Sequence, residues 1–124
     1  MESFSVQTSS REEFVDVTSR VESFLSGSGV VTVFVPHTTA ACCVNEGFDP
    51  DVVTDVLAKL RELFPRDEGY LHSEGNSDSH LKSIVVGCSV QVPFVDGTLL
   101  LGRWQKIFFC EFDGPRLREV LVSF

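Results

Sequence analysis

At 124 residues, 43% of them hydrophobic and 23% charged, the chain is sized for one globular domain with a core of its own, and eleven phenylalanines supply much of that core. Ten Lys and Arg against 18 Asp and Glu give a net charge of −8, which argues against duplex nucleic acid and anionic membrane surfaces as partners. The longest unbroken apolar run, Ala40 to Val44, falls far short of the roughly 20 residues that span a bilayer. The amino terminus has neither the basic start nor the apolar stretch of a secretory signal, so the cytoplasm is the expected location.

In chain order, Phe4 to Gln7 alternates and reads as a first strand, followed by a short one at Glu13 to Val15. Asp16 is a good helix cap, and Val17, Val21, Phe24 and Leu25 then fall on one helical face until Gly27 and Gly29 end the pattern. Val30 to Val35 is β-branched and aromatic, stopped by Pro36, and Thr39 to Val44 reads as a further strand. Asp49-Pro50-Asp51 is the strongest helix start in the chain. It combines a capping Asp, a proline at the first helical position and an acid in the first turn. Val52, Val53, Val56, Leu57, Leu60 and Leu63 make its apolar stripe, ended by Pro65.

The longest polar segment, Arg66 to His80, leads into a short helix from Asn76 or Ser77 to Val86. Beyond it Val90, Val92 and Phe94 alternate, Asp96-Gly97 signals a hairpin, and Thr98 to Leu101 returns. Ile107 to Phe112 and Leu117 to Phe124 flank Asp113-Gly114-Pro115 and form the last pair. The expected fold is a single α+β domain over residues 1–124, a mostly antiparallel sheet or sandwich with two to three helices packed outside. The four cysteines lie in or beside apolar runs without CxxC spacing and read as reduced core residues, Cys42 and Cys43 facing opposite ways.

The three histidines stand in polar or turn-like surroundings: His37 closes a strand, His72 lies in the polar segment, and His80 lies one turn into a helix. Three imidazoles plus an open position would suit a zinc-type site, although the spacing of His72 and His80 is not a one-helix metal motif. Acid and base are segregated: Glu46 through Asp78 holds nine acids against three bases, while Arg103 through Arg118 holds four bases against Glu111 and Asp113. If the two regions share a cleft, Arg103 and Arg116 could fork onto phosphate. Glu46, Asn45, Asn76 and Asp78 sit at element ends near the histidines, where the last two either join a site or cap a helix. Thr38 and Thr39 either bind a ligand or end a strand. Trp104 and Gln105 read either as site residues or as a core ring with a backbone-satisfying amide. The common nucleotide-binding, zincin and serine-hydrolase motifs are absent.

The blocks VFVPHTTAACCVNEGFDPDVVTD, YLHSEGNSDSHLKS and VPFVDGTLLLGRWQKIFFCEFDGPRLREV, in that order, resemble the YjbQ-like family, also called secondary thiamine-phosphate synthase enzymes. The resemblance runs from about Phe14 to Val122. It implies a strand-rich homotrimer with His37, His72 and His80 around a metal near a subunit interface. Glu46, Asn76, Asp78, Trp104, Gln105 and Arg116 stand at its other motif positions; on the reading of the residues themselves, Glu46 and Asp78 would act in acid/base chemistry or orient ligands, and Thr38, Asn76, Arg103, Gln105 and Arg116 would bind substrate. It further implies, as a secondary activity, condensation of a pyrimidine diphosphate with a thiazole phosphate. The cofactor would be a divalent metal, either zinc at the histidines or magnesium arriving with the phosphorylated substrate. The alternatives are a non-catalytic metal- or ligand-binding homotrimer and a metal-dependent phosphohydrolase.

Overall fold

The computed structural model describes residues 1–124. Its elements are β1 (Glu2–Gln7), β2 (Glu13–Asp16), α1 (Thr18–Glu22), β3 (Gly29–Phe34), β4 (Ala40–Glu46), α2 (Pro50–Leu63), α3 (Ser77–Val86), β5 (Ser89–Val95), β6 (Thr98–Leu99), β7 (Gln105–Glu111) and β8 (Leu117–Ser123). They form a five-stranded sheet in the order β1-β8-β3-β5-β6 and a three-stranded sheet in the order β2-β7-β4. Every pairing is antiparallel, as the tight turns and alternating strands require. The architecture is the expected α+β arrangement, and no helix is long and apolar enough to cross a membrane.

The inner faces of both sheets meet in one apolar cluster. Val31 and Val33 of β3, Val92 and Phe94 of β5, and Val120 and Val122 of β8 pack against Cys42 of β4 and Ile107 and Phe109 of β7. The outer face of the small sheet is covered in turn by α2, whose Val53, Val56, Leu57 and Leu60 pack on Ala41, Phe108, Cys110 and Phe112. That second layer explains the unbroken run Ile107-Phe108-Phe109-Cys110, because a strand buried on both faces has no polar phase. It also separates the adjacent cysteines. Cys42 enters the main core, while Cys43 lies under α2 with its Sγ 3.6 Å from that of Cys110.

Local signals account for most boundaries. Asp49 caps α2 by accepting from the Asp51 N–H at 3.0 Å, and Asp96-Gly97 turns with positive φ at both residues. Three expectations are corrected. α1 spans five residues, because after Glu22 the chain tightens into bonds from Phe24 N to Val21 O and Leu25 N to Glu22 O before Gly27. The return strand after the hairpin ends at Leu99, where Leu100 N bonds back to Pro93 O. Cys88, expected in the core, is exposed at the entry to β5.

The third helix is fixed at both ends, and this positions the histidines. At its start the Ser79 hydroxyl donates to Phe112 O at 2.6 Å; at its end Gly87 O and Cys88 O accept from Cys42 N and Val35 N. Gly87 makes that exit with φ of 101°, a conformation that side-chain-bearing residues resist. The outcome sets α3 beside the loop from Val35 to Thr39.

Candidate functional site

Two clefts open where α3 meets the Val35–Thr39 loop. The first, about 360 Å³, has no hydrophobic residue in its lining. It gathers His37, Thr38, Thr39, Asn76, His80 and Arg116 of the residues singled out from sequence, and adds Pro36, Glu74, Asp113 and Arg118. The second, about 380 Å³, shares His37, Thr38 and His80 with the first but is otherwise lined by Ala40, Ser83, Ile84, Gly87 and Cys88.

Each polar wall has a traceable cause. Arg118 lies on the same face of β8 as Val120 and Val122, so its guanidinium points inward. There it is forked onto the buried Glu111 carboxylate at 2.9 and 2.5 Å and donates to Thr39 Oγ1 at 2.9 Å. The Thr8 hydroxyl completes the set, donating to Glu111 at 2.8 Å and accepting from Arg116 N at 2.8 Å. Arg116 itself remains exposed. It bonds Asp113 O at 2.8 Å and the Asp113 carboxylate at 3.1 Å, which leaves a free edge of the guanidinium for a ligand.

His37 Nε2 accepts the Glu119 N–H at 3.0 Å. That bond places the proton of a neutral ring on Nδ1. Burial, and then the positive charge of Arg118, push this imidazole below its ordinary range, so it is neutral at pH 7. His80 packs edge-on against His72, ring centroids 5.3 Å apart, and His72 Nε2 lies 3.5 Å from Glu74. Even so, no group of three or more His, Cys, Asp or Glu comes together to hold a metal ion within the chain. His72 lines a separate surface depression with Tyr70, Leu71 and His80 rather than joining His37. The three-histidine set therefore does not fit a resident metal in one chain.

Asn76 and Asp78, which sequence left balanced between site and cap, take different roles. Asn76 occupies the cap position of α3 but makes no side-chain cap bond. Its Nδ2 donates to the Asp113 carboxylate at 2.8 Å, and its buried Oδ1 has no hydrogen-bond partner. Asp78 faces away from the polar cleft into a buried ion network. Arg11 is forked onto it at 3.2 Å, Lys82 reaches it at 2.9 Å, and Lys82 also meets Glu12 at 2.6 Å. Burial opposes its ionisation, but Arg11 and Lys82 outweigh burial and hold the carboxyl below its ordinary value.

The remaining expected residues lie outside both clefts. Glu46 accepts from Phe48 N at 2.6 Å and Asp49 N at 3.3 Å, bracing the turn into α2. Gln105 satisfies Gly102 N at 2.7 Å, as a backbone-satisfying amide should. Trp104 is not a core ring. It is half exposed, set edge-on to Phe48, with Arg103 stacked over it at 4.6 Å instead of reaching a phosphate site. Of the cleft residues that sequence reasoning passed over, Arg118 had a signal, an arginine in the inward phase of an alternating strand. Ser83 had none.

The family model described as UPF0047 protein YjbQ-like matches residues 2–124. The UPF0047 protein MJ1081 of Methanocaldococcus jannaschii is 47% identical, over 97% of this chain and 90% of that protein. YugU of Bacillus subtilis is 43% identical over 99% and 97% of the two chains. Among solved structures, the conserved hypothetical protein TT1486 of Thermus thermophilus superposes with a TM-score of 0.96 at 48% identity, covering 100% of this chain and 99% of that one. A YjbQ/UPF0047 protein of Clostridium acetobutylicum gives 0.94 at 44% identity, covering 99% and 98%.

Proposed function

The chain belongs to the YjbQ-like UPF0047 family, and from that premise we propose that its polar cleft binds a phosphorylated small molecule and supports a thiamine-phosphate synthase-like transfer. A pyrimidine diphosphate and a thiazole phosphate would condense there with release of pyrophosphate. The observation that carries this reading is the convergence of His37, Thr38, Asn76, His80 and Arg116 on one wholly polar cleft, with the buried Asn76 Oδ1 left unpartnered. An unpaired buried acceptor costs stability unless something supplies a donor or a cation.

In this transfer the thiazole nitrogen forms a C–N bond to the pyrimidine methylene carbon as the C–O bond to pyrophosphate breaks. Nothing is oxidised or reduced, so the protein's task is positioning and charge stabilisation. Arg116 presents its free edge to phosphate oxygens, and neutral His37 donates through Nδ1–H. Glu74, Asn76 and Asp113 also offer the oxygen donors that suit a magnesium-type ion arriving with phosphate. Such an ion, when bound, offsets charge on the departing pyrophosphate.

The homotrimer implied by the family resemblance would cover apolar side chains that now face solvent around the clefts, namely Leu71, Leu81 and Ile84. Light scattering should give three chains per particle. For the chemistry, wild-type protein with both phosphorylated precursors and magnesium should form thiamine phosphate, and Arg116→Ala should lower the rate by roughly 100-fold, the order seen when one transition-state donor is removed. No product with magnesium, manganese or zinc would reject the transferase reading. Phosphate release from simple esters under the same conditions would favour a phosphohydrolase instead.

A further inference from the structure

The four cysteines differ in setting. Cys42 is sealed in the main core with its Sγ donating to Val33 O at 3.7 Å, and burial pushes that thiol up to about 12. Cys88 is exposed on the rim of the second cleft. Cys43 and Cys110 share the face of the small sheet that lies under α2, with their Sγ atoms 3.6 Å apart.

Strand register explains that approach. Cys43 stands opposite Phe108 and Cys110 opposite Ala41, so the two thiols are diagonal neighbours on one face, and the small side chain of Ala41 leaves the diagonal open. A disulfide needs its sulfurs at about 2.05 Å, a closure on the scale of side-chain rotation. The pair is also ordered. Cys43 keeps partial exposure and Cys110 has none. A hydrogen bond from Cys110 lowers the Cys43 thiol against the opposing effect of burial, whereas burial first and Cys43 second raise Cys110 well above its ordinary value. An oxidant therefore meets Cys43 first, with Cys110 directly behind it as the resolving thiol.

We propose that Cys43 and Cys110 are a reversible oxidation site, which a small peroxide converts to a disulfide joining β4 to β7 and a small dithiol reopens. In the first step the Cys43 thiolate forms an S–O bond to one peroxide oxygen as the O–O bond breaks, and the departing hydroxide takes up the proton that Cys43 released and becomes water. In the second, the Cys110 sulfur attacks the Cys43 sulfenic acid. The S–S bond forms, the S–O bond breaks, and the hydroxyl leaves with the Cys110 proton as a second water. The sulfurs together lose two electrons and the peroxide gains them; a dithiol reverses the change by becoming a cyclic disulfide itself. The new bond stands one register pair from Ala40 and Glu111, and the Glu111 carboxylate is the group that holds Arg118 in the polar cleft.

The test is thiol mapping of the full folded chain, reduced, freed of reductant, exposed to a small excess of hydrogen peroxide, then unfolded and alkylated. In Cys88→Ser, which removes the exposed thiol, Cys42 alone should remain open to alkylation, peptide mapping should find Cys43 joined to Cys110, and dithiothreitol should restore both thiols. Should that variant not fold, the same peptide map of the wild type decides the matter. Cys110→Ala should leave Cys43 as a sulfenic acid captured by dimedone, and Cys43→Ala should leave Cys110 reduced. The proposal is overturned if Cys43 stays open to alkylation, if it passes to the sulfinic acid in the wild type while Cys110 remains free, or if Cys110 oxidises equally well without Cys43. A disulfide that forms only once urea is present also overturns it, because that bond would belong to the unfolded chain.

Discussion

Two polar regions meet at the third helix and differ in how completely their groups are satisfied. On one side Lys82, only 1% exposed, is clasped between Asp78 and Glu12, with Arg11 and Arg61 closing the network. On the other, Asn76 and Ser83 present buried oxygens that bond nothing, and Arg116 keeps an unused edge. Buried charges are tolerated when paired, and although the Arg11 Nε bonds nothing, both carboxylates of the first set are met by cations, which leaves them little capacity for a ligand. The first region holds α3 against the segment between β1 and β2; the second is the proposed site of substrate chemistry. Residues only two positions apart, Asn76 and Asp78, fall on opposite sides of that division.

The sharpest way to break the comparison is to remove a partner from the satisfied side. Lys82→Ala leaves Asp78 and Glu12 facing each other without their shared cation, and loss of one member of a buried pair costs about 3–5 kcal/mol. Urea denaturation should show that loss directly. A change below about 1 kcal/mol would mean the network does not anchor the helix. Asn76→Ala should have the reverse profile. It forfeits one hydrogen bond to Asp113, about 1 kcal/mol, while methyl phosphate affinity in the presence of magnesium should fall roughly tenfold, the scale of losing one bond to the accompanying ion. Equal stability losses in the two variants would erase the distinction.

Titration separates the regions further. The Asp78 carboxyl is held below its unfolded value, so its stabilisation is complete above about pH 4 and is lost as pH falls through the depressed folded value. His37 is also depressed, but as a base. The folded state disfavours its protonated form, so stability begins to decline as pH drops below about 6.5 and stops changing once the folded value is passed. Denaturation midpoints followed against pH should therefore show an upper step removed by His37→Gln and a lower step removed by Asp78→Asn. A profile unchanged by His37→Gln would contradict the neutral assignment of that ring.

Much of the scaffold was legible because its causes are local. Alternation in Val90, Val92 and Phe94, the Asp49-Pro50 start of α2 and the Asp96-Gly97 turn each depend on neighbours within a few residues. The clustering of His37, Asn76, His80 and Arg116 was partly legible, through their polar settings and the resemblance. What could not be read was satisfaction. Whether Asp78 is a catalytic acid or a tied ion depends on Arg11, 67 positions away. A lysine at position 82 reads as a solvated helix residue until Glu12 is placed against it. The burial of Trp104 and Cys88 likewise depends on what the rest of the fold sets opposite them, and neither is enclosed.

Trp104 supplies the smallest expected effect and the finest test of the division. Its ring touches Phe48 edge-on, with centroids 5.6 Å apart, and both rings are about half exposed. Within one chain, Trp104→Ala removes an exposed aromatic contact worth about 0.5–1.5 kcal/mol beyond its modest burial, and touches neither polar region. The expected result is a stability loss near 1 kcal/mol with phosphate affinity unchanged. If affinity instead falls together with particle size in light scattering, this aromatic pair acts through a neighbouring subunit. The division between anchoring and binding groups would then have to be redrawn for the assembly, with Trp104 on the binding side.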